Sequence, residues 1–254
     1  IRATGATAVV APEQQLANGN FQTDLGAMLR LVDDQTAVIF VANPSNPTGT
    51  MVDLDALHGF LRQLPRHVLF VLDAAYAEYV ADETYSQAVM DMVAQYPNLV
   101  VVRTFSKIYG MASLRLGFAY GHRAVIKNIN KLCNVFSTSQ VAQDAGVAAL
   151  GDQDFVAQSR QKNKTEKERV QSVLRQQGFT CHPSETNFFI IDFGQGEAGK
   201  TKAEDFLRAM EDHNIFVRGL KSYHLLHMVR VTVGTKEEND IFLQWATAWA
   251  TAHG

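Results

Sequence analysis

A lysine, two hydroxyls and an arginine stand close together in Thr104-Phe105-Ser106-Lys107-Ile108-Tyr109-Gly110-Met111-Ala112-Ser113-Leu114-Arg115-Leu116-Gly117. The preceding Asn98-Leu99-Val100-Val101-Val102 is a short β-branched apolar run, which reads as a buried strand. A lysine leaving the end of such a strand gives up part of its hydration. Removing water from an amine favours its neutral form, the form that attacks carbonyls. Ser106 and Arg115 beside it make a cradle for a phosphate, with Arg115 offering a two-pronged guanidinium fork. The stretch therefore suits covalent capture of a phosphorylated carbonyl compound. It equally suits an ordinary lysine in a surface loop.

Two upstream stretches weigh between those readings. Asn43-Pro44-Ser45-Asn46-Pro47-Thr48-Gly49 follows the apolar run Ala37-Val38-Ile39-Phe40-Val41, and Asp73-Ala74-Ala75-Tyr76 follows Val68-Leu69-Phe70-Val71-Leu72. Each is a polar cluster at the carboxyl end of an expected strand, where open α/β sheets hold their ligands. Two prolines and a glycine fix the backbone of the first loop, which suits a site that must hold an Asn side chain still. With the lysine stretch and a late Val229-Arg230-Val231-Thr232-Val233-Gly234-Thr235, the four motifs in this order resemble the fold-type I pyridoxal-phosphate (PLP) dependent aminotransferases. The histidinol-phosphate aminotransferase group is nearest.

The resemblance implies roles. Lys107 would bind PLP through its aldehyde and serve as general base and acid. Asp73 would bond the pyridine nitrogen, and Asn46 and Tyr76 the ring's phenolic oxygen. Ser106 and Arg115, with Thr104 as a further candidate, would hold the cofactor phosphate. Arg230 would fork the substrate α-carboxylate, and its place on an apolar strand fits, because a buried arginine needs an anionic partner. Arg218 would stand near the far end of the substrate, although Gly219-Leu220-Lys221-Ser222-Tyr223 departs from the expected pattern after it. The implied reaction takes an amino donor, histidinol phosphate first, and a 2-oxo acid, 2-oxoglutarate, in turn. Aromatic amino-acid aminotransferases and a PLP-dependent threonine-phosphate decarboxylase share most of these motifs, and a non-catalytic PLP-type domain would keep the same fold. The family also implies a homodimer.

The composition fits a globular enzyme: 254 residues, 46% hydrophobic and 19% charged, can bury a substantial core. A net charge of −3 and a pI near 6.3 argue against a broad nucleic-acid surface. No apolar run reaches the length of a membrane span, and Cys133 and Cys181 form no metal-spacing motif. A cytoplasmic protein with free thiols is expected. The opening Ile1-Arg2-Ala3-Thr4-Gly5 lacks methionine, and the small-residue turn and ring-stacking aromatic that the resemblance implies are not found. The expectation is a C-terminal part of a longer polypeptide.

Strand and helix patterns alternate up to residue 150. They imply a three-layer, mostly parallel α/β sheet with helices on both faces, the PLP-binding large domain (1–150, incomplete at its start). A smaller α/β domain follows (151–254). Strands are expected at 7–11, 36–41, 68–72, 99–102, 115–120, 187–193, 215–217 and 228–233, with a polar loop at 14–20. Helices are expected from the caps Asp24 and Asp53, at 85–96, 122–132, 140–150, 152–177, 203–213 and 236–252. Residues 194–201 read as a flexible loop. The run 162–169 reads as a solvated charged face. Ile241, Phe242, Trp245 and Trp249 read as facing inward, and Glu78 and Tyr79 as partly exposed.

Overall fold

The computed structural model describes residues 4–17 and 19–253. Ile1-Arg2-Ala3 of the opening, and Asn18 of the expected loop at 14–20, lie outside the described residues. That loop contains a small antiparallel hairpin, β1 (Gln14–Gln15) and β2 (Phe21–Gln22). Residues 7–11 form no strand. Val9 and Val10 are 68% and 78% exposed, and an extended segment becomes a strand only by pairing with another.

Side-chain caps start the first two long helices. Asp24 accepts a bond from the Ala27 backbone N–H at 2.7 Å ahead of α1 (Leu25–Arg30). β3 (Val38–Ala42) comes next, and Asp53 caps α2 (Leu54–Gln63) in the same way, onto Ala56 at 2.7 Å. Then come β4 (Leu69–Asp73), α3 (Tyr85–Asp91), β5 (Leu99–Thr104), β6 (Gly117–Gly121) and α4 (Arg123–Asn130). α3 tightens into a 3₁₀ turn over Met92–Ala94 instead of running on to residue 96.

These strands pair in the order β3-β4-β5-β6. The first two pairings are parallel; β6 returns antiparallel to β5 after the Lys107-bearing connection. Phe70, Leu72, Leu99 and Val101 bury one face against Leu57 and Phe60 of α2. The other face is less covered than expected among the described residues: Val38 and Phe40 are 40% and 57% exposed.

The chain continues through α5 (Gln140–Gly151), α6 (Gln153–Gln176), β7 (Thr180–Cys181), β8 (Phe188–Asp192), α7 (Gly196–Glu211), β9 (Arg218–Leu220), β10 (Leu225–Thr232) and α8 (Lys236–His253). A second sheet, order β7-β8-β10-β9, is antiparallel throughout. It buries Phe189, Ile191 and Val229 against Phe206 of α7 and Phe242 of α8 in a core of its own.

Four expectations are corrected here. Residues 196–201 are helical rather than loop. The strand expected at 215–217 forms at Arg218–Leu220, where β10 offers the pairing. Ile241 is 52% exposed. Lys167, inside the run read as solvated, is only 8% exposed and donates to the carbonyls of Ser184 (2.5 Å) and Thr186 (2.8 Å); burial pushes its pKa down. Both cysteines are free, and burial raises the Cys181 thiol to about 12.

Candidate active site

The three polar loops open at the carboxyl ends of β3, β4 and β5, the crevice side of the parallel part of the sheet. Asn43 fixes the first loop from within. Fully buried, it donates to the Val52 carbonyl (2.9 Å), accepts from the Val52 N–H (2.9 Å), and lies 2.6 Å from the Tyr85 hydroxyl. Its own N–H donates to the Asp73 carbonyl at 3.0 Å, tying the loop to the end of β4. Glu13 holds the loop from outside, accepting the hydroxyls of Ser45 (2.8 Å) and Thr48 (3.4 Å).

The loop closes at Gly49, whose φ is +76° and whose missing Cβ would lie 2.3 Å from the Ser184 hydroxyl. Gly178 shares a positive φ (+87°) but faces open space. Gly178→Ala is therefore expected to cost about 1–2 kcal/mol of stability, from the left-handed backbone alone. Gly49→Ala is expected to cost roughly 1–3 kcal/mol more, from the clash. Chemical denaturation of both variants checks the difference.

Held this way, Asn46 accepts a hydrogen bond from Arg230 Nη1 at 2.7 Å. The Arg230 guanidinium lies 4.7 Å from the centre of the Phe188 ring. Tyr76 meets the same ring edge-on at 5.3 Å, and Lys107 Nζ stands 5.2 Å from the Tyr76 ring centre. Lys107, Tyr76, Arg230 and Asn46 thus form one connected group, with Phe188 at its centre. Arg218 joins it from β9, directly opposite Arg230 in the β9–β10 register. Burial first, and then the like charge of Arg218, pushes the Arg230 pKa down. Arg230 Nε is buried with no hydrogen-bond partner among the described residues.

A second group forms beyond Lys107. Arg115, in a left-handed conformation (φ 51°), donates through Nη1 to the Ala112 carbonyl (2.8 Å) and to Ser106 Oγ (3.4 Å). Thr104 uses its hydroxyl to build the turn, accepting from the Ser106 N–H (3.1 Å) and donating to the Leu116 carbonyl (3.4 Å). Asp73 ends β4 exposed, with Oδ1 accepting the Ala75 N–H at 3.1 Å.

Residues 1–245 match the family model described as aminotransferase class I and II. The chain belongs to this family. It is 39% identical over 220 residues to a histidinol-phosphate aminotransferase of Bacillus velezensis, a match covering 87% of this chain and 59% of the relative. To the histidinol-phosphate aminotransferase of Rhodospirillum centenum it is 40% identical over 239 residues, 94% of this chain and 64% of the relative. The chain thus spans less than two thirds of the length of these curated relatives. Among solved structures it resembles the histidinol-phosphate aminotransferase of Sinorhizobium meliloti in complex with pyridoxal-5'-phosphate, with TM-score 0.83 and 27% identity over 92% of this chain and 62% of that one.

Three residues of this candidate site escaped the sequence reading. Glu13 reaches the first loop across a long stretch of chain and has no local signature. Phe188 sits in an apolar run that reads as core. Tyr223, whose ring centre lies 5.9 Å from the Arg218 guanidinium, could have been noticed as an aromatic shortly after an arginine.

Proposed function

We propose that this chain carries out PLP-dependent amino transfer, with histidinol phosphate as amino donor and 2-oxoglutarate as acceptor. The supporting observation is the pair Arg230 and Arg218: the two arginines stand directly opposite each other in the register of adjacent strands, and Arg230 keeps a buried N–H with no partner among the described residues. Such a pair repels itself until an anion enters between or beside it. Histidinol phosphate offers an anionic phosphate, and 2-oxoglutarate two carboxylates, so one pocket serves both.

PLP, when bound, supplies an aldehyde for covalent linkage and a ring that withdraws electrons from the carbon losing its proton. In this reading Lys107 Nζ provides the linking amine and then moves the proton at the substrate Cα. Asp73 keeps a proton on the ring nitrogen, while Asn46 and Tyr76 bond the ring oxygen. Ser106 and Arg115, with Thr104 shaping their turn, bind the cofactor phosphate. Arg230 binds the α-carboxylate of the 2-oxo acid, and Arg218 the distal anion.

The reading includes a large part (1–150) and a smaller part (151–254), supported by the two separate cores. It also includes a homodimer in the cytoplasm. Leu132, Val135 and Phe136, 80% exposed or more, support an association surface. No helix among the described residues is long and apolar enough to cross a membrane.

The test is kcat/KM for histidinol phosphate and for phenylalanine in the wild type and in Arg218→Ala. Loss of one charge-assisted bond is expected to cost roughly 1.5–3 kcal/mol, about ten- to a hundredfold, for the phosphate donor and little for phenylalanine. Equal losses would overturn the choice of donor.

A further inference from the structure

Lys167 of α6 is a buried amine with no part in the reading above, and its contacts lead toward the candidate site. Its Nζ donates to the carbonyls of both Ser184 and Thr186. Asn163, one turn earlier on α6, donates to the same Thr186 carbonyl at 3.2 Å. Removing the ammonium would leave both carbonyls without their charged donor, a larger loss than that of an ordinary hydrogen bond. The amine therefore grips the corner 184–186 just ahead of β8.

That corner meets the site on two sides. Thr186 is fully buried, and its hydroxyl accepts the Phe188 N–H (3.2 Å) and donates to the Phe188 carbonyl (3.0 Å). It thereby fixes the residue whose ring touches both Tyr76 and Arg230. On the other side, the Glu185 N–H donates at 2.8 Å to the carbonyl of Gly49, three residues after Asn46. The Glu185 carboxylate accepts the Ala81 N–H at 3.1 Å, in the segment that follows Tyr76. The 2.7 Å bond from Arg230 to Asn46 crosses between the same two parts of the chain.

We propose that Lys167 is a positioning residue for the candidate site: by gripping the Ser184 and Thr186 carbonyls it holds Phe188 against Arg230 and seats the second sheet on the Asn46 loop. Its effect on turnover rests on the reading of Arg230 as a carboxylate ligand, but the positioning itself is measurable without cofactor or substrate.

The probe is Lys167→Met, which keeps most of the stem and deletes the donors. Gly178→Ala serves as the control, because its expected loss of stability arises at an open turn away from this corner. Nuclear magnetic resonance reads the Arg230 side-chain N–H, assigned by its loss in Arg230→Met and displaced from the ordinary arginine position by the Phe188 ring. In Lys167→Met this signal is expected to move toward the ordinary position, and amide hydrogen exchange at Glu185 and Phe188 to rise about tenfold or more. Gly178→Ala is expected to leave the signal in place. Lys167→Gln, with an amide donor on a shorter stem, is expected to fall between the wild type and Lys167→Met, and it gives the same readout where the Met variant does not fold. With PLP bound, kcat/KM for 2-oxoglutarate is expected to fall about tenfold in Lys167→Met and to stay near the wild type in Gly178→Ala. An unmoved Arg230 signal in the Lys167 variants, an equal move in Gly178→Ala, or wild-type kcat/KM in Lys167→Met would overturn the proposal. If the signal moves and exchange rises while the wild type itself turns over no 2-oxoglutarate, the positioning stands and the reading of Arg230 is the part that fails.

Discussion

Borohydride reduction after loading with PLP is expected to fix the pyridoxyl mass on Lys107, and Lys107→Ala is expected to leave the protein unlabelled. Turnover in Lys107→Ala should fall by about 10²–10⁴-fold, the usual contribution of a general acid–base group. Arg230 and Arg218, the proposed anion ligands, stay in place, so substrate binding should survive. Lys107 is the lysine in contact with Tyr76, and it follows the strand that ends in Thr104. Peptide mapping of the reduced protein checks the position; label on any other lysine would remove Lys107 from the site.

Arg230→Met is expected to separate binding from folding. Kinetically it should cost roughly 1.5–3 kcal/mol, about ten- to a hundredfold in kcat/KM, for the substrates that carry an α-carboxylate, 2-oxoglutarate and phenylalanine. That loss falls on the carboxylate substrates, whereas the loss expected for Arg218→Ala falls on the phosphate donor. Thermally the sign is opposite. Without ligand, Arg230 is partly desolvated beside Arg218 and keeps an Nε with no partner among the described residues. A thioether of similar reach removes that cost and keeps a contact with Phe188. The unliganded variant should therefore melt at or above the wild-type temperature, a trade of function for stability. A lowered melting temperature would mean that the Asn46–Arg230 bond outweighs the repulsion.

Local signals were legible and distant ones were not. Asp24 and Asp53 announce helices because a cap acts on its own next turn. The polar loops announce the site because each directly follows its strand. Glu78 looked partly exposed because the partner that lets it be buried, Arg103, lies on a strand distant in sequence. Lys167 looked solvated for the same reason, its acceptors being carbonyls of the 184–186 segment. The glycines near 194–199 suggested a flexible loop, but at Gly199 the reason is contact: the Gly194 carbonyl occupies the space a Cβ would need. Residues 7–11 have strand composition and, among the described residues, no strand partner, and composition alone does not make a strand.

The position of β9 separates two kinds of recognition. Arg230 lies on an inner strand whose neighbours Val229 and Val231 belong to the core. Arg218 lies on a three-residue edge strand, exposed, and joined to β10 through an irregular register between Leu225 and Val229. Edge strands with interrupted pairing absorb substitution without disturbing the rest of a sheet. In the proposed reading, the clamp for the α-carboxylate is thus built into the part that folding protects, and the reader of the distal anion hangs on the part that drift can rewrite. A change of preferred substrate in this scaffold would begin at β9 and Tyr223, at small cost to folding.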